Sequence, residues 1–216
     1  MVFLNMIIER GIKINRLSEL QPVLEQWQNL NDDLTWFEYD DAPWWYNERA
    51  SLSIFAGAIW KSGGSVFEEF SSIKENVTKQ TYSGRCDIEF SVGRSEFIGE
   101  AKQCWIDLNE NLQKNIRDVE SSINDAVSDA RQAPVWENHS RVGIVFVVPS
   151  ISKKKKENID IHLRSFIELV TKIEDVTVAW VFPRKARYLE PPKDNPEAGS
   201  FFPGVLIVLV ETISSI

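Results

Sequence analysis

Residues 82–105, Y-S-G-R-C-D-I-E-F-S-V-G-R-S-E-F-I-G-E-A-K-Q-C-W, decide how the rest of the chain is read. Ile88, Phe90 and Val92 alternate with Asp87, Glu89 and Ser91, the period-two pattern of a strand with one apolar face. Gly93-Arg94-Ser95 supplies turn chemistry, and Phe97, Ile98, Gly99, Glu100, Ala101 and Lys102 run back as a second strand. Glu100 and Lys102 then share a face of that strand. In a simple pairing register Asp87 lies near the same end of the sheet. An acid on one strand, with an acid and a lysine flanking a single residue on the next, is costly to desolvate unless the charges are paired or metal-bound.

The residue types suit a hard divalent cation. Two carboxylates, Asp87 and Glu100, with the carbonyl of Ala101, can hold Mg2+ or Mn2+ and leave positions for water and a phosphate oxygen. Lys102, a compact cation, can sit beside the attacking water or the charge that develops on the phosphate. Surface hairpins also carry cross-strand Asp, Glu and Lys pairs worth only about 0.2–1 kcal/mol, and the cluster has that plainer reading too. Gly99 and the apolar lining by Phe97, Ile98 and Ala101 weigh against it.

At these residues the chain resembles the PD-(D/E)XK nuclease superfamily, over roughly residues 48–148. Asp87 matches the lone acid of the family motif and Glu100-Ala101-Lys102 its E-x-K half, with the hairpin between them. Cys86 departs from the proline that usually precedes the acid. The resemblance implies a restriction-endonuclease-like α/β fold, a central mixed sheet flanked by helices. It also implies Mg2+-dependent hydrolysis of phosphodiester bonds, as a nuclease or endonuclease acting on DNA, in defence against foreign DNA or in DNA processing.

Composition bounds the alternatives. The 216 residues suffice for one domain with a sizeable core. Hydrophobic residues make up 43% and charged residues 26%, as in ordinary soluble domains. The net charge of −8 argues against a protein that coats nucleic acid, because phosphate contacts need local Lys and Arg. A metal nuclease escapes that objection, because its bound ions invert the local field. Cys86 and Cys104 make no disulfide framework and are expected as buried free thiols in a reducing cytoplasm. His139 and His162 have no zinc spacing. No signal peptide is visible, and no apolar stretch reaches the ~18 residues of a membrane span.

Outward from the hairpin, the chain is expected as one domain over 1–216. Residues 1–43 form an N-terminal extension, 44–150 the catalytic core, and 151–216 a C-terminal helix and strands. Leu17, Leu20, Val23, Leu24 and Trp27 predict a helix that Ser18 caps. Residues 31–43 form an acidic connector pinned by Trp36, Phe37 and Tyr39, or a partner-binding arm. Leu52, Phe55, Ala56 and Ile59 stripe a helix. Glu48, four residues earlier, projects from the same stripe, and the family likeness makes it a third acid of the metal site; it also reads as a partner of the helix dipole. The same likeness predicts a strand over 65–74, with Glu69 as a reserve ligand and Glu68 solvated.

A long helix is expected over 108–132, crossing to a central strand at 141–149, whose continuous apolar run suits cover on both faces. A helix over 159–173 and strands at 177–182 and 204–213 follow, with parallel strands behind the hairpin. Gln103 is a candidate contact to a phosphate or base edge. Lys153 and Lys154, in the only basic block, are candidate phosphate contacts or a solvated loop. The loop over 183–203 is long enough to suggest substrate or partner contact. Partners expected are nucleic acid, DNA before RNA, with a homodimer or a second protein; no membrane is expected. The rival class is a non-catalytic module for protein assembly or nucleic-acid recognition on the same fold, favoured by the acidic surface and by Trp36, Trp44 and Trp45.

Overall fold

The structure, a computed structural model, describes residues 8–35, 41–76, 78–133, 139–190 and 199–212. Trp36, Phe37 and Tyr39, and the Pro-rich part of the long loop, lie outside them. The chain builds an α/β fold around a mixed sheet of eight strands, flanked by helices. The strands are β1 (Arg10–Lys13), β2 (Ser65–Glu75), β3 (Thr81–Val92), β4 (Ser95–Asp107), β5 (His139–Ser152), β6 (Thr177–Val181), β7 (Ser200–Phe201) and β8 (Val205–Thr212). Their order is β1-β6-β8-β5-β4-β3-β2, with β7 pairing to the end of β5.

The expected strand over 65–74 is present as β2, and the apolar run centred on Ile144 is the central strand β5. β4 and β5 run parallel, as a crossover helix between them requires. The expectation of parallel strands behind the hairpin needs correction. β8 inserts antiparallel between β5 and β6, pairing with both. β5 and β6 do point the same way, joined by a helix, but the chain returns through 182–204 and fills the gap from the opposite direction.

Four helices cover the two faces: α1 (Gln21–Leu34), α2 (Glu48–Lys61), α3 (Leu112–Gln132) and α4 (Ile159–Val170). Trp27 of α1 and Phe55 of α2 pack with Phe97, Ala101, Phe146 and Ile207 in one apolar layer. Val119 and Ile123 of α3 and Phe166 of α4 pack with Cys104, Val145 and Val178 in the other. β1, from the N-terminal segment, pairs with β6, so the same sheet runs through all three segments of the chain.

Local signals explain the helix starts. The Asn47 side chain accepts from the Ala50 N–H at 3.1 Å and opens α2. Asn111 accepts from the Gln113 N–H at 2.8 Å and opens α3 at Leu112, four residues later than the apolar spacing suggests. Before it, Asp107 accepts from the Asn109 N–H at 2.8 Å and holds a turn. Ser18 is not the cap of α1. It begins a 3-10 turn, Ser18–Leu20, and Leu20 holds the capping position without a side-chain bond. Among the described residues no helix is long and apolar enough to cross a membrane.

Candidate active site

The hairpin is tight, with Val92 opposite Ser95 and Gly93 at φ 62°. β3 and β4 pair from that turn only as far as Ile88 opposite Gly99. Beyond, β3 turns over. Ile88 and Phe90 pack with Phe97 and Ala101, whereas Cys86, two residues earlier, packs with Ile98 and Ala133. Alternation on β4 puts Phe97 and Ile98 on opposite faces, so Asp87 sits where β3 rotates between the two. Opposite it on β2, Glu69 has φ 54° and drops out of the pairing between Glu68 and Phe70. The distortion belongs to both strands.

The parting of β3 and β4 leaves β4 backbone groups without strand partners, and carboxylates take them. Asp87 Oδ2 accepts from the Ala101 N–H at 2.8 Å. The Gln103 N–H lies close enough to the carboxylate of Glu48, which α2 delivers at its first residue, to favour its charged form. A strand residue presents its N–H and C=O to the same neighbour, so the Ala101 carbonyl opens onto the gap that Asp87 borders. Asp87 at the seam, Glu48 from the α2 side and Glu100 from the α3 side therefore surround one interruption in the ladder.

Their charges interact. Glu100 is 4% exposed, and burial, with the Asp87 charge adding to it, pushes its carboxyl up to about 7 against the opposing pull of Lys74. Burial and then Asp87 also raise Glu48, while Lys102 and the Gln103 N–H pull it down. Lys102 feels the charges of Glu48 and Asp87. Burial works against its charged form, but Asp129 of α3, at 2.6 Å, with Glu48 and Asp87 behind it, holds the ammonium above its ordinary range. At 33% side-chain exposure Lys102 is anchored to α3 and still reached by water.

Two partners here carry no spacing signal in the sequence. Asp129 is one. The other is Lys74 of β2, whose Nζ lies 2.6 Å from Glu100 Oε1, with both side chains at 10% exposure or less. Gln103 accepts from the Ser51 hydroxyl at 3.1 Å, and its Nε2 is buried without a hydrogen-bond partner among the described residues.

The remaining candidates lie elsewhere. Glu69 is paired with Arg85 at 2.6 Å and Arg49 at 3.1 Å, and Glu68 accepts from the Ser53 hydroxyl. Lys153 pairs with Glu190, and Lys154 is exposed. Lys102 stands beside Val145 in the β4–β5 register, and both lysines follow the end of β5. At about 3.3 Å per residue they are roughly 20 Å or more along the strand from the cluster. Cys86 and Cys104 are buried free thiols, as expected.

The donor set around the seam is oxygen only, which matches Mg2+ or Mn2+ rather than zinc. Among the described residues no three His, Cys, Asp or Glu side chains gather into a metal-holding group. An ion here would draw on Asp87, Glu100 and the Ala101 carbonyl and complete its shell with water, the habit of Mg2+. Burial is the main cause that raises Glu100 and Glu48, and the Asp87 charge that adds to it is the part a divalent cation would relieve. Comparison with family models, with curated proteins and with solved structures finds no match for this chain.

Proposed function

We propose that the chain is a metal-dependent phosphodiesterase of restriction-endonuclease-like fold, cleaving DNA in preference to RNA. One observation carries the reading. Asp87 abandons its place in the β3–β4 ladder and caps the Ala101 N–H, between a raised Glu100 and a Lys102 that is held charged. That interruption leaves the Ala101 carbonyl beside Asp87, with Glu100 reaching toward it from the α3 side of the sheet and Glu48 from the α2 side.

In this mechanism Asp87, Glu100 and the Ala101 carbonyl would hold the ion, with Glu48 as accessory ligand or water-positioning base. When bound, Mg2+ supplies Lewis acidity to the phosphate and lowers the pKa of its water. Lys102 Nζ, fixed by Asp129, orients the attacking water and meets the charge developing on the phosphoryl oxygens. Gln103, whose buried Nε2 has no hydrogen-bond partner among the described residues, is the candidate contact to a phosphate or base edge from the α2 side. Lys153 and Lys154 belong to a more distant contact along the backbone of a longer duplex. Free buried thiols suit a reducing cytoplasm, and the acidic surface suits delivery of further DNA grip by a second copy or a partner protein. Defence against foreign DNA and DNA processing are the roles such a nuclease serves.

The test incubates the chain with plasmid DNA, linear DNA and RNA across Mg2+ and Mn2+ concentrations, beside Asp87→Ala and Lys102→Ala. We expect cleavage that needs the metal and falls on the order of a hundredfold or more in both variants, with far-ultraviolet circular dichroism unchanged. No metal-dependent product on any substrate assigns the chain instead to a non-catalytic assembly or recognition module. The sequence points that second reading to Trp36, Trp44 and Trp45, but Trp36 lies outside the described residues and Trp44 is buried, its Nε1–H donating to the Phe202 carbonyl at 3.1 Å; the exposed tryptophans are Trp60 (59%) and Trp105 (48%).

A further inference from the structure

Lys74 reaches Glu100 by an unusual route. The two lie on β2 and β4, with β3 between them, so the side chain must cross a strand about 4.8 Å from each neighbour. In the β2–β3 register Lys74 stands opposite Tyr82 and Ser72 opposite Gly84. Gly84 leaves the lane open: a Cβ there would meet Lys74 Cδ at 3.1 Å and Cγ at 3.2 Å. The lysine stem lies over bare backbone and delivers Nζ to Glu100 Oε1 at 2.6 Å, next to the buried Cys86 thiol. Lys74 is 8% exposed and Glu100 4%, and the residues around them on this face, Phe70, Cys86, Ile98 and Ala133, are apolar or small.

A buried ion pair of this kind is weak evidence for a contribution to stability, because removing two charges from water costs about as much as their attraction returns. Its geometry has a clearer consequence. The pair occupies Oε1 of Glu100 and, with the Cys86 thiol that also hydrogen-bonds this carboxylate, restrains its orientation. Ligating carboxylates are commonly held in this way by an outer hydrogen bond, and loss of such a partner typically costs 10–100-fold in metal affinity.

We propose that Lys74 is a positioning residue of the metal site: laid across Gly84, it clamps one oxygen of Glu100 and presents the other to a divalent ion. The proposal rests on the functional reading above, and it concerns metal binding rather than turnover.

The experiment is calorimetric titration of Mn2+ into the intact chain, without nucleic acid, for the wild type, Lys74→Met, Lys74→Arg and Gly84→Val. Lys74→Met removes the ammonium and keeps the stem. Gly84→Val leaves every charge in place and obstructs the lane. We expect Lys74→Met and Gly84→Val each to weaken Mn2+ binding about tenfold or more, and Lys74→Arg to stay within about threefold of the wild type. A merely structural lysine would not produce matching losses from a charge deletion and a distant steric block, with rescue by arginine. If Lys74→Met fails to fold, Lys74→Gln, which keeps a donor, takes its place and is expected to lose between about threefold and tenfold while Gly84→Val still loses about tenfold. Unchanged or tighter Mn2+ binding in Lys74→Met or its replacement overturns the proposal, since the lysine would then compete with the ion. A wild type that binds no Mn2+ overturns the functional reading itself, and the role of Lys74 with it.

Discussion

Glu100 concentrates the physical tension of the molecule in one side chain. Its carboxyl titrates at about 7 in the fold against 4.5 for the free group, burial being the main cause. Between those values the folded chain binds a proton that the unfolded chain has released, so this group's contribution to stability falls as pH rises through the window. Lys74, itself held above its ordinary value by Glu100 despite burial, stays charged throughout and adds nothing to that slope. At ~1.4 kcal/mol per unit the loss approaches about 3 kcal/mol across the full interval. Urea unfolding from pH 4.5 to 7.5 is expected to show the wild type losing stability relative to Glu100→Gln as pH rises. Parallel curves for the two proteins would mean that Glu100 ionises without hindrance.

At the level of elements, the site is a meeting of four. β4 supplies Glu100 and Lys102, β3 brings Asp87 by turning over, α2 starts at Glu48, and α3 returns Asp129 to Lys102. α3 is therefore more than a crossover, because its last turns tune the lysine. Without the Asp129 carboxylate the Lys102 ammonium loses the main interaction that raises it, and its pKa drops. For Asp129→Asn we expect DNA cleavage about tenfold slower, with the alkaline limb of the pH–rate profile moved to lower pH. An unmoved limb would show that Lys102 is not the group whose charge the reaction needs.

Whole-molecule features divided cleanly into those legible in the sequence and those hidden. The period-two run through Ile88 and Phe90 and the continuous apolar run through Ile144 gave the hairpin and the central strand, because one-sided and two-sided burial write different patterns. Glu100 and Lys102 were legible as sharing a face because period-two spacing on one strand sets it, whereas the rotation of β3 that carries Asp87 to the Ala101 N–H was not. The direction of β8 was not, since an apolar strand reads the same either way and only the path of the preceding loop decides. Lys74 and Asp129 were hidden because their contacts depend on the β2 register and on the rotation of α3, which no nearby residue encodes. Gly84 was visible as a strand glycine, a residue that marks close approach, but not what approaches it.

The central claim is that one divalent ion is held where β3 leaves β4. Crystals soaked in Mn2+, measured at the manganese absorption edge, test it most directly. The account predicts a single strong anomalous peak within coordination distance of Asp87, Glu100 and the Ala101 carbonyl, lost in Asp87→Ala. Well-ordered crystals with no peak at that seam, or a peak only at unrelated surface acids, would contradict it.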